Sequence, residues 1–125
     1  MPSTERSICI FLHHYVLSDA LLGAAAHLTV SQVVGHMKSS QAVHYAVSAV
    51  GLAMLANMGD APGVADEARA HYAQALRLTN VALSNKAKAL ENTTLNAVII
   101  LGMFEVNEAE RIIIYSFSWL IEVFR

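Results

Sequence analysis

The sequence predicts an all-α domain of four to five helices in an irregular antiparallel bundle or array, and three apolar runs predict it. AVHYAVSAVGLAMLANMG (Ala42–Gly59) and EARAHYAQALRLTNVAL (Glu67–Leu83) are rich in alanine, and TTLNAVIILGMFE (Thr93–Glu105) follows them. Small residues at helical spacing let helix axes approach closely, so these runs describe helices packed on helices. At 125 residues, 55% hydrophobic and 14% charged, the chain is one domain at most, with an apolar content above and a charged content below the globular norm.

Ser3 or Thr4 is placed to cap a first helix running to about Leu17, with Glu5 in its first turn. Ile8, Phe11, Leu12 and Tyr15 give that helix one apolar face. From Asp19 to Gly35, small residues (Gly23, Ala24, Ala25, Ala26) and β-branched ones (Thr29, Val30, Val33, Val34) predict an irregular crossing or short helices. The run from about Ser40 to Met58 is apolar nearly all round, and a helix with no polar face packs on several sides. It stops at Gly59-Asp60-Ala61-Pro62-Gly63, where Gly59 suits a left-handed C-terminal cap, Asp60 an N-cap and Pro62 a first turn. So short a link sends the next helix back antiparallel. That helix, about Pro62 to Ser84, sets Val64, Ala68, Tyr72, Ala75, Leu76, Thr79 and Leu83 on one face and Asp66, Ala70, Gln74 and Arg77 on the other. Ser84 to Asn92 reads as a solvated connection. Asn92 or Thr93 then caps a fourth helix carrying Leu95, Val98, Ile99, Leu101, Gly102 and Val106. Asn107 to Glu110 reads as a polar linker, and the tail RIIIYSFSWLIEVFR fits a helix no better than a strand; we assign it to a helix.

A formal net charge of -2 and a sequence pI near 6.3 provide no electrostatic footprint for nucleic acid. The single cysteine, Cys9, excludes an intrachain disulfide framework and a multi-cysteine zinc site. Cys9 lies at i, i+4 from His13, a spacing that can activate a thiol, but a small buried hydrophobe is the commoner role. Among the six histidines, His13 and His14 point about 100° apart on a helix, and His36 and His44 are too far apart to share an ion. Glu108 and Glu110 form the one close carboxylate pair, in the polar linker. Glu105 ends an apolar run; the bland reading is a surface glutamate, and a buried one needs a partner such as Arg69 or Arg77. No catalytic, cofactor-binding or metal site and no cofactor are expected. Asn92-Thr93-Thr94 matches a glycosylation sequon, which is read as accidental because the N-terminus makes a poor signal peptide. The uncharged span Ser39–Gly59 has the length to cross a bilayer, yet Gln41, His44, Ser48 and Asn57 interrupt it and an amphipathic partner follows.

Three blocks, AVSAVGLAML (Ala46–Leu55), YAQALRLTNVAL (Tyr72–Leu83) and TLNAVIILGMFE (Thr94–Glu105), together with the opening ERSICIFLHHYVL, resemble the fungal-specific transcription factor domain. That domain is the all-helical middle region of fungal zinc-cluster (Zn2Cys6) regulators. The resemblance runs from about Glu5 to Val106. It implies a regulatory domain rather than an enzyme, located in the nucleus (otherwise cytoplasmic) and working through a protein partner or self-association. The family's zinc cluster needs six cysteines and this sequence has Cys9 alone, so no direct DNA binding is expected. The division expected is a partial helical domain over 3–106 and a divergent apolar tail over 107–125, as in a truncated gene product. A tetratricopeptide-like helical scaffold is the alternative, suggested by Tyr72, Ala75 and Leu76 but lacking a repeat period. A small membrane protein using Ser39–Gly59 and the tail is the other.

Overall fold

The computed structural model describes residues 5–13, 30–59 and 63–123, and every regular element among them is helical. In chain order these are α1 (residues 5–13), α2 (Val30–Ser39), α3 (Gln41–Asn57), α4 (Val64–Leu83), α5 (Lys86–Ala89) and α6 (Asn92–Val123). The expected cap at Ser3 or Thr4, the first helix beyond His13 and the stretch 14–29 lie outside the described residues.

α3 is the axis of the fold. Ser40 caps it, its Oγ accepting from the Val43 N–H at 3.3 Å, which satisfies one donor of the open first turn. Ten of its seventeen residues are buried, so the helix has no solvent side of its own and α2, α4 and α6 all pack on it. Val43, Val47, Val50, Leu52 and Leu55 are all but inaccessible, and burying each such side chain contributes roughly 1.5–3 kcal/mol. Gly59 closes the end of α3 at φ 76°, the left-handed conformation that glycine adopts without a Cβ clash.

On its α1 side α3 approaches its neighbour closely. Ser7 and Phe11, one turn apart, are fully buried, and a Cβ placed on Gly51 would stand 2.0 Å from the Ser7 carbonyl oxygen. The two backbones touch there, which only a glycine permits. The buried face of α1 is therefore centred on Ser7 and Phe11, with Ile8 and Leu12 at its margin.

α2 (Val30–Ser39) begins within the Asp19–Gly35 stretch that was expected to be an irregular crossing or short helices, and it runs through Gly35 to the cap of α3. Gly35 tolerates this because it costs only about 1 kcal/mol within a helix. α4 begins later than the Pro62 start expected, since Gly63 occupies the N-cap at φ 90° where Asp60 had been expected. Val64, Ala68, Ala75 and Thr79 form its buried stripe, at steps of four, seven and four. Leu76 and Leu83, expected on that face, stand 39% and 48% exposed.

The link after α4 holds a short helix. Asn85 accepts from the N–H groups of Ala87 and Lys88 at 3.0 and 3.2 Å, capping α5 within what was expected to be an unstructured connection. α6 starts at Asn92, because the Glu91 carbonyl already accepts from the Leu95 N–H; Asn92 and Thr93 are helical residues rather than caps. The Thr94 hydroxyl donates to the Lys88 carbonyl at 2.7 Å and ties the α5 turn to α6.

One expectation about α6 is corrected. It is one helix from Asn92 to Val123, so Asn107–Glu110 is no linker, while the tail is helical as assigned, through Val123. Asn107 receives a hydrogen bond from the Asn57 amide at 2.6 Å, which holds the middle of α6 at the end of α3. Its buried face is Ala97, Ile100, Leu101 and Phe104 with Thr94 and Asn96, while Leu95, Val98, Ile99 and Val106 are exposed.

Candidate interaction surface

Between α4 and α6 lies an open groove of about 290 Å³, lined mainly by Tyr72, Leu76, Leu83, Val98, Leu101 and Glu105. It exists because the two helices meet through their small and inward residues. Ala75 and Thr79 of α4 and Ala97 and Phe104 of α6 are buried, so the larger Leu76, Leu83 and Val98 turn outward and wall the gap.

One end is closed by a polar link. The Tyr72 hydroxyl donates to Glu105 Oε1 at 2.5 Å, the length of a charge-assisted bond, and the Tyr72 ring stacks on Phe104 at 4.4 Å with the planes 16° apart. That hydrogen bond to a carboxylate is the main reason the Tyr72 hydroxyl is pushed up to about 12, with partial burial and the Glu105 charge adding to it. Glu105 is exposed, as the bland reading had it, and its partner is Tyr72 rather than an arginine. Arg69 instead bridges Asp66 at 3.1 Å one turn earlier on its own helix, and Arg77 donates to Gln74 at 3.2 Å. Both arginines are thus engaged on the outer face of α4.

The histidines fall into separate settings. His13 is exposed, and His14 lies outside the described residues. His36 Nδ1 faces the Asn96 side-chain amide at 3.2 Å across α2 and α6. His44 belongs to a chain of edge-to-face rings, 5.7 Å to Tyr45 and then 5.5 Å from Tyr45 to His71. Burial holds the His71 imidazole below its ordinary pKa, Glu67 opposes that shift, and the His44 charge reinforces it. Among the described residues no group of three or more His, Cys, Asp or Glu side chains is arranged to hold a metal ion. Cys9 is exposed on α1 and is therefore not the buried hydrophobe expected of it, because the inward face of α1 is taken by Ser7 and Phe11. Glu108 lies on the continuous helix α6, not in a loop, and Glu110 shares that helix.

Sequence reasoning missed Tyr72 as the partner of Glu105, whereas Thr79, set on the inward face of α4, is buried there. A tyrosine on the inward stripe of α4 was a usable signal, since a buried phenol seeks a polar partner. Nothing in the sequence paired it with a residue 33 positions away. The arrangement offers apolar walls and one anchored carboxylate among its lining residues.

No helix among the described residues is long and apolar enough to cross a membrane. A family model described as "Fungal specific transcription factor domain" matches residues 12–118, past Val106 and well into the second half of α6. No curated protein and no solved structure matches the chain.

Proposed function

Because the chain belongs to the fungal specific transcription factor domain family, we propose that it is a non-catalytic middle domain of a transcription regulator, or a fragment of one. It acts in the nucleus through helix–helix contacts with protein. In this reading residues 3–106 form the packed body, an irregular antiparallel array of four to five main helices, and residues 107–125 an apolar extension. The chain does not read DNA itself, takes no metal or cofactor, and has no catalytic residue.

The observation that carries this reading is the combination of family membership with the surface between α4 and α6. Its walls are exposed aliphatic side chains, and its one charged member is already engaged by Tyr72. Such a surface favours apolar protein contacts over charged or reactive small molecules. Its charge supports the same conclusion for nucleic acid, since phosphate binding draws on clustered Lys and Arg whereas the net charge here is -2.

Titration of the whole chain with duplex DNA at low and at moderate salt tests the division of labour. The expected result is no binding at either salt. Binding that weakens steeply with added salt would mean phosphate contacts and would overturn the proposal.

A further inference from the structure

The face of α6 that lines the groove does not stop at Glu105. From Val98 to Val123 it continues at alternating steps of four and three, the 3.5-residue repeat that keeps one seam turned toward a second helix. Every position on that seam other than Val98, Ile112, Trp119 and Val123 is a small residue or Glu105, and all eight are exposed, Val98 being 43% and Trp119 64% accessible. At 1.5 Å per residue the seam is about 37 Å long.

We propose that a second copy of this chain covers this seam, its α6 running antiparallel to the first. The order of large and small residues selects that partner. With the two-fold axis between Ala109 and Ile112, Trp119 of one copy lies over Gly102 of the other and Ile112 over Ala109. Val98 meets Val123, and Ser116 meets Glu105. Each contact occurs twice, as a closed two-fold interface demands. A parallel pairing sets Glu105 against Glu105 and Trp119 against Trp119, and leaves Gly102 facing Gly102 across a void.

The groove is shaped for the incoming indole. A Cβ on Gly102 would meet nothing within 4 Å, so the space beside it is open. The Thr79 hydroxyl, buried and without a hydrogen-bond partner, lines the same groove. The Ser116 hydroxyl donates to the carboxylate of Glu105, which already accepts from Tyr72.

On the seam itself four large apolar side chains, Val98, Ile112, Trp119 and Val123, are 43%, 60%, 64% and 53% exposed. At roughly 100 Å² each they present about 400 Å², the scale of an exposed apolar patch that marks a protein contact.

The inference rests on the protein-contact reading above and specifies its partner. Sedimentation of the full chain over a concentration series should show a reversible monomer–dimer equilibrium. Trp119→Glu and Gly102→Leu should each weaken the dimer by about tenfold or more while leaving the helical circular dichroism intact, since both positions are exposed. In a Cys9→Ser background, a chain with Val98→Cys should cross-link to a chain with Val123→Cys, and neither to itself. A chain that stays monomeric, a dimer indifferent to both substitutions, open-ended oligomers, or self-linking of Val98→Cys would each overturn the proposal. A monomer that still alters transcription when tethered to DNA refutes the dimer alone. A dimer with no effect on transcription refutes the regulatory reading alone.

Discussion

Gly51→Ala is the sharpest perturbation of the fold, because two effects of opposite sign meet at one atom. In the interior of a helix, alanine is favoured over glycine by about 1 kcal/mol. Here the added Cβ would lie 2.0 Å from the Ser7 carbonyl oxygen, 2.4 Å from its carbonyl carbon and 2.9 Å from its Cα. All three are backbone atoms within a buried contact, so no side chain can rotate away. Restoring ordinary contact requires α1 to move off α3 by more than about 1 Å, which opens gaps around Phe11 and Ser7. Overpacking of that kind costs about 3 kcal/mol, leaving a net loss of about 2 kcal/mol after the propensity gain. Urea unfolding followed by far-ultraviolet circular dichroism measures it as a lowered midpoint at unchanged slope. Gly35→Ala is the matched control: its Cβ meets nothing within 4 Å, so it should raise stability by up to about 1 kcal/mol. If Gly51→Ala is as stable as the parent or more so, the close α1–α3 crossing is wrong.

Other outcomes follow from the same contacts. Phe104→Ala removes a buried ring and its stack on Tyr72 and should cost about 3–5 kcal/mol, read from the urea midpoint. Tyr72→Phe keeps the stack but loses the bond to Glu105, for about 1 kcal/mol at neutral pH. The Tyr72 hydroxyl is raised to about 12 from 10.0, so its stabilisation is full below pH 10 and fades as pH rises from 10 toward 12. Tyr72→Phe should flatten the stability profile across that window, and an unchanged profile would refute the link. His71 is shifted the other way: its stabilisation holds above about pH 6.5 and declines as pH falls through its lowered folded value. His71→Gln should remove that acid-side slope in unfolding measured from neutral to mildly acidic pH.

α3 and the inward stripe of α4 were legible in the sequence because their patterns leave little choice. A run with no polar face has to sit in the middle, and Val64, Ala68, Ala75 and Thr79 recur at helical spacing among charged neighbours. α6 was harder for the opposite reason. With apolar residues all round, periodicity cannot decide whether Val98 and Ile99 or Ala97 and Ile100 face inward; neighbours α3 and α4 decide it, by admitting the small Ala97 at the crossing. Asn107–Glu110 read as a break because three polar residues among four usually mark a loop, yet polar residues on the outer side of a helix break nothing. The β-branched tail left helix and strand evenly matched, and continuity with a packed N-terminal half settles it as helix. The groove and its Tyr72–Glu105 link were not legible, since they depend on which faces of two helices meet.

The central claim is that this chain influences transcription through protein contacts made by a folded helical body, with DNA reading supplied from elsewhere. The most direct measurement fuses the whole chain to an unrelated DNA-reading module and follows a reporter placed beside that module's site in a fungal nucleus. The account predicts that the fusion changes reporter output relative to the module alone, and that Phe104→Ala abolishes the change. A fusion as inert as the bare module, or an effect untouched by Phe104→Ala, would contradict it.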